Sequence, residues 1–280
     1  MINVSNVTFS YGFRKAPVLN DFSLSFSESG VYGLLGSNGV GKSTLLYILS
    51  GMLTPDSGEA TYLGINTRRR LPMTVRDLML VPEEFDLPSI SLSEYVRLTA
   101  PFYPGFSQKD MERNLTYFEL EADVNLNRLS MGQKKKAILA FAFACHTRVL
   151  LMDEPTNGLD IPAKSAFRRV VAETIGDDQI IVISTHQVRD VGQILDHVVI
   201  MDHSRVLLDQ PMMRIEDRLR FVNSSDKETI GKALYSEQAI GGASLILPSE
   251  DSPSADPTEV NLEMLFNFAI SQPETLRSLF

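Results

Sequence analysis

The chain has 280 residues, 44% hydrophobic and 22% charged, a composition that sustains its own core and excludes a mostly disordered polypeptide. Its formal net charge of −9, from 26 basic and 35 acidic side chains, is the opposite of the basic footprint of a general nucleic-acid binder. The longest uninterrupted apolar run, residues 137–145, is far short of the roughly 20 that a bilayer span needs, so no membrane-crossing helix is expected.

The first residues carry neither the basic nor the apolar region of a secretory signal, and the single cysteine, Cys145, has no internal disulfide partner. Both features predict a cytoplasmic protein. Residues 2–9 and 23–27 alternate apolar and polar side chains, which predicts half-buried strands. Residues 31–35 form an apolar run closed by a glycine. From about 89 to 148 the spacing turns helical, with Leu92, Tyr95, Val96 and Leu98 at helical intervals and capping-box patterns at Ser107–Asp110 and Ser130–Gln133. The runs 149–152, 180–183 and 198–201 are short and wholly apolar, as in parallel strands buried on both faces. Residues 248–259, rich in Ser, Pro and acids, read as a linker, and 261–271 return to helical spacing. No internal repeat is present. The alternation predicts an α/β core over 1–88 and 149–206, an inserted helical subdomain over 89–148 and a C-terminal extension over 207–280. The sequence leaves the extension open as an appended domain, a dimerisation element or a regulatory segment. Its helix is expected to pack its apolar face on the core.

Gly36-Ser37-Asn38-Gly39-Val40-Gly41-Lys42-Ser43-Thr44 follows the run 31–35 and precedes a helical stretch at 44–52. It matches G-x-x-x-x-G-K-[ST] in the strand-to-helix context that motif requires. The glycines let backbone N–H groups converge on phosphate oxygens, and the helix N-terminus adds its dipole. Lys42 is expected at the β- and γ-phosphates and Ser43 at Mg2+. Met152-Asp153-Glu154 ends an apolar run expected to lie beside the strand at 31–35. Asp153 there can hold Mg2+ through water, and Glu154 can orient or deprotonate an attacking water. Ser184-Thr185-His186 ends another run, where an imidazole can donate to a γ-phosphate oxygen. The carboxyl ends of parallel strands are where such sheets bind ligands, so these ends nominate one site. His146, His197 and His203 read as ordinary histidines. The basic clusters 68–70 and 134–136 read first as solvated faces.

Leu129-Ser130-Met131-Gly132-Gln133 resembles the Leu-Ser-Gly-Gly-Gln signature of the ATP-binding-cassette (ABC) ATPases. Tyr11, Asn157-Gly158-Leu159-Asp160 and Ser184-Thr185-His186 complete that family's ordered motifs over about residues 2–210. The resemblance implies a P-loop NTPase core with a mostly parallel sheet, an N-terminal antiparallel β subdomain, an inserted α-helical subdomain and the C-terminal extension. It implies ATP held by Tyr11, Gly36, Ser37, Asn38, Gly39, Val40, Gly41, Lys42, Ser43 and Thr44, with Ser130, Gly132, Gln133 and Asp160 also at the nucleotide. It implies Mg2+ at Ser43, Glu83 and Asp153, and catalysis by Glu154, His186 and Lys42.

It further implies a head-to-tail dimer, with a second copy or a related ABC ATPase, in which the signature turn of one chain faces the γ-phosphate held by the other. The lysines 134–136 then add charge to a helix N-terminus that an anion would relieve. Glu83 stands where the family usually has Gln, with Glu84 as the alternative register, and Met131 replaces the first signature glycine. The expected role is the ATPase subunit of a transporter of the exporter type often called ABC-2. It would be peripheral on the cytoplasmic face of the cell membrane, beneath a separate multi-spanning permease, with no nucleic-acid partner. The alternative is a soluble ABC ATPase acting on a ribosome or other cytosolic assembly.

Overall fold

A computed structural model describes residues 1–12, 15–251 and 258–280. Within the linker expected at 248–259, residues 252–257 lie outside that description. The chain opens with β1 (Ile2–Phe9), β2 (Leu19–Phe26) and β3 (Gly30–Leu35), then α1 (Lys42–Leu49). β4 (Ser57–Tyr62), β5 (Ile65–Asn66), α2 (Pro72–Val75) and β6 (Leu78–Val81) precede the helical insertion of α3 (Leu92–Thr99), α4 (Gln108–Tyr117) and α5 (Met131–Ala144). β7 (Val149–Asp153), α6 (Ile161–Thr174), β8 (Ile180–Thr185), α7 (Val188–Val191), β9 (His197–Asp202) and β10 (Arg205–Pro211) return to the core. The tail holds α8 (Met212–Arg218), β11 (Leu219–Ser224), α9 (Lys227–Gly231), β12 (Tyr235–Ala239), β13 (Gly242–Pro248), α10 (Leu262–Ser271) and α11 (Pro273–Arg277).

The central sheet has the order β10-β9-β3-β8-β7-β6. All its pairings are parallel except that of β10 with β9. A four-stranded sheet, β2-β1-β4-β5, is antiparallel and forms the N-terminal β subdomain. This is the α/β P-loop architecture expected from the sequence. One detail differs: β7 is not beside β3, because β8 lies between them. Runs that are apolar on both faces announce central strands but carry no mark of which strand pairs with which. The expected core boundary at 206 falls inside β10, which pairs with β9 as far as Pro211.

Side chains along the central strands alternate between two cores. Tyr32 and Leu34 of β3, Val149 and Leu151 of β7, and Val182 of β8 face α1 and the antiparallel sheet. Val31, Leu150, Met152, Ile181 and Ile183 face the helical insertion, α6 and α10. The sheet is thus covered on both sides, as a parallel sheet must be. In the tail, β11, β13 and β12 make a small antiparallel sheet that the sequence did not announce. Its strands mix apolar residues with Ser, Asn, Glu and Gln, and their fully buried apolar side chains are those of Leu219 and residues 245–247. α10 buries Leu262, Met264, Leu265, Phe268 and Ala269 in the same core as the central strands. Of the stripe expected from spacing (Leu262, Leu265, Phe266, Ala269, Ile270), Phe266 is only partly buried and Ile270 is exposed, because the buried face is rotated toward Met264 and Phe268. Phe268 also stacks on Tyr235 of β12, with ring centroids 5.6 Å apart, and joins helix, small sheet and cassette.

Phe268 is fully buried, so Phe268→Ala should lower unfolding stability by about 3–5 kcal/mol. A urea melt followed by circular dichroism checks this.

Candidate functional site

β3 delivers the chain into the phosphate loop at its carboxyl end. Ser37, Asn38 and Gly39 are exposed there, while Gly36, Val40 and Gly41 are buried. Gly41 caps α1 at φ 105°, and a Cβ on it would come 2.9 Å from Leu19 Cδ2, so only glycine satisfies both demands. Ser43 and Thr44 sit in the first turn of α1, whose N–H groups lack helical partners. Lys42 is 6% exposed, and its Nζ donates to the carbonyls of Gly36 (2.7 Å) and Ser37 (3.2 Å). Burial lowers the pKa of this amine, while the charges of Glu154, Asp153 and Glu83 push it back up. The fields of those three carboxylates therefore reach the lysine of the loop. The Tyr11 ring stands exposed at the rim, edge-on to Phe9, with its hydroxyl 3.0 Å from Thr44 Oγ1.

The parallel register of β7 and β8 sets Asp153 opposite Ser184. Ser184 Oγ donates a hydrogen bond to Asp153 Oδ1. Glu154, the next residue, takes φ 45°, a left-handed angle that costs a non-glycine residue strain. Its carboxylate is held on both oxygens. Oε1 accepts from the His186 backbone N–H at 3.0 Å and lies 2.7 Å from His186 Nδ1. Oε2 accepts from Thr185 Oγ1 at 3.0 Å. Asp153 and Glu154 are both buried, and the His186 ring is partly exposed. Buried carboxylates need such donors, since without them desolvation would neutralise the acid.

β6 ends at Val81 and carries Glu83 to this centre, where its Oε1 accepts from Asn157 Nδ2 at 2.7 Å. Glu84, the alternative register, is exposed. On α5 both halves of the capping box form: Ser130 Oγ accepts from the Gln133 N–H (3.3 Å), and Gln133 Oε1 accepts from the Ser130 N–H (3.0 Å). Gly132 lies against the Asn157–Asp160 turn, where a Cβ would meet the Gly158 carbonyl oxygen at 3.1 Å. Asp160 caps α6 through the Ala163 N–H (2.9 Å) and pairs with Lys136 (3.6 Å). The structure thus brings Lys42, Asp153, Glu154, His186 and Glu83 together, and sets Ser130, Gly132 and Gln133 on a turn packed against 157–160.

The lysine triplet at 134–136 is neither a uniform solvated face nor a uniform outward charge. Lys135 is 5% exposed and donates from Nζ to the backbone carbonyls of Glu154 (3.1 Å) and Asn157 (3.0 Å). Burial lowers its pKa, opposed chiefly by Glu83. The sequence reading missed this residue. The signal was available in helical spacing, since Lys135 falls i−4 and i−7 from the buried Leu139 and Ala142.

Comparison with known proteins places this geometry in context. Residues 19–157 match the family model described as ABC transporter. The Nod factor export ATP-binding protein I of Rhizobium meliloti (strain 1021) is 30% identical over 286 aligned residues, covering 99% of this chain and 80% of that protein. The methionine import ATP-binding protein MetN of Carboxydothermus hydrogenoformans is 30% identical, over 74% of this chain and 65% of that protein. Among solved structures, the dimeric bacterial ABC transporter cassette MJ0796 superposes with a TM-score of 0.66 at 26% identity, over 76% of this chain and 99% of that one. The same cassette in a post-hydrolysis state bound to ADP and Pi gives 0.66 at 25% identity, over the same shares.

Because Ser130 caps α5 by its side chain, Ser130→Ala should cost about 1 kcal/mol of stability, measured by thermal unfolding.

Proposed function

We propose that this chain, which belongs to the ABC transporter family as an ATP-binding, ATP-hydrolysing subunit, powers export through separate membrane-spanning subunits. The observation that carries the chemistry is the convergence of Lys42, beyond β3, with Asp153 and Glu154, at the end of β7, while Thr185 and His186 at the end of the intervening β8 hold Glu154. In this reading Lys42 exchanges its loop carbonyls for β- and γ-phosphate oxygens, and the N–H groups from Gly36 to Thr44 line the phosphate chain. Glu154 takes a proton from the water that attacks the γ-phosphorus in line, and ADP leaves. His186 fixes Glu154 through Nδ1 and offers Nε2 to a γ-phosphate oxygen. Donating to both at once requires the doubly protonated ring. Tyr11, at the rim, stacks on adenine.

Ser43, Asp153 and Glu83 offer a hydroxyl and carboxylate oxygens, the hard donor set that suits Mg2+, and would hold it. When bound, Mg2+ neutralises charge on the β- and γ-oxygens. Ser130, Gly132 and Gln133 present a capped helix N-terminus for the γ-phosphate of a partner chain in a head-to-tail dimer. Asp160 lies on the turn between the two sites. The partner is a second copy or a related ABC ATPase, and the dimeric MJ0796 cassette supports such an arrangement.

Export over import is favoured by the tail. The export relative aligns over 99% of the chain, extension included, whereas the import relative aligns over 74%. No helix among the described residues is long and apolar enough to cross a membrane, which fits a spanning partner on a separate chain. A groove of about 180 Å³ between core and insertion, lined by Met52, Arg70, Thr74, Leu80 and Tyr103, would receive that partner on the cytoplasmic face of the membrane. The exposed Met52 adds apolar surface at this groove, and Met73, next to the groove-lining Thr74, is exposed as well.

Glu154→Gln should retain ATP binding and lose turnover by on the order of 100-fold or more. A purified variant that hydrolyses ATP at the wild-type rate would sink the assignment of the base. Gentle solubilisation of native membranes should recover a multi-spanning protein with the tagged chain. Recovery only with ribosomes or another soluble assembly would overturn the transporter role.

A further inference from the structure

The proposed site carries three carboxylates, Asp153, Glu154 and Glu83, whose charges act on Lys42. In a half-buried centre that must also admit a polyanion, a third carboxylate raises the local negative charge and works against both the phosphates and the ionised base. A second buried cation stands behind them. Lys135, in the second turn of α5, reaches under the segment that follows β7 and donates to the carbonyls of Glu154 and Asn157. Asn157 in turn donates from Nδ2 to Glu83 Oε1 at 2.7 Å, so one residue bridges the ammonium to the extra carboxylate. A buried ammonium is costly unless hydrogen bonds and opposite charge compensate it, and both are present. The charges acting on Lys135 are, in order, Glu83, Glu154, Asp153 and Glu84.

We propose that Lys135 is a positioning residue whose charge offsets Glu83 and whose two hydrogen bonds fix the backbone that aims Glu154. The proposal rests on the reading of Glu154 as the base. The Asn157–Glu83 hydrogen bond ties Glu83 to the same turn that Lys135 holds, so the ammonium and the extra carboxylate share one anchor. Gly132 against Gly158 and Lys136 against Asp160 clamp the same helix to the same turn, so Lys135 does not hold the fold by itself. Its removal leaves the nucleotide pocket walls in place and disturbs the chemical step.

The test is steady-state ATP hydrolysis by the full chain with its co-purified partner, using Lys135→Met alone and in a Glu83→Gln background. In the native background Lys135→Met should lower kcat about tenfold, with KM for ATP changed less than about twofold. In the Glu83→Gln background the same change should cost less than about threefold, the two sites being coupled. Lys135→Gln, which keeps a donor and drops the charge, should show the same dependence on background and serves if the methionine variant misfolds. An equal loss in both backgrounds, no loss in either, or a loss carried by KM overturns the proposal. Glu154→Gln in the same assay separates the two readings. If it is inactive while the Lys135 loss ignores Glu83, only the positioning role falls; if it is fully active, the site assignment falls first.

Discussion

The pairing of β7 with β8 is the constraint on which the rest depends. These strands run parallel in the middle of a sheet covered on both faces, and their register sets Asp153 against Ser184. The next residues then leave the sheet together, so the Glu154 carboxylate meets Thr185 and His186 without any long loop to place it. Apolar burial holds the strands, backbone hydrogen bonds fix their offset, and the offset aims the acid. Strand ends are stiff in a way that loops are not, which suits the role proposed for Glu154.

Around that pair the chain arranges its layers by face. The antiparallel sheet and α1 occupy one side, so the phosphate loop is braced against the N-terminal strands. The insertion, α6 and the tail helix α10 share the other. The tail is therefore built into the cassette rather than hung from it. The insertion reaches the proposed catalytic centre through Lys135 of α5, the core sends Glu83 from the segment after β6, and the two meet at Asn157.

How much of this was legible in the sequence depended on how local each signal was. The phosphate loop was readable because its chemistry lies within nine consecutive residues, Gly36 to Thr44, between a strand and a helix. The capping box at Ser130 and Gln133 was readable for the same reason. The placement of β8 between β3 and β7 was not, because pairing is a long-range choice that apolar runs leave undetermined. The small sheet of the tail escaped because β12 is mostly exposed and polar, which removes the alternation that marks a strand. Lys135 escaped because three identical side chains in a row hide the one whose helical position turns inward. The hydroxyl contact of Tyr11 with Thr44 could not be inferred from a stacking role, since the sequence gives the ring and not its lean.

The left-handed backbone at Glu154 has a consequence for how this position can change over time. Asparagine, aspartate and glycine tolerate such an angle best, and β-branched residues tolerate it least. Asparagine would keep the angle and lose the acid, aspartate would keep the acid and shorten its reach, and valine or isoleucine would oppose the backbone itself. Descendants of this sequence are thus filtered twice at one residue, by conformation and by charge. Few mutational routes lead away from glutamate that preserve both.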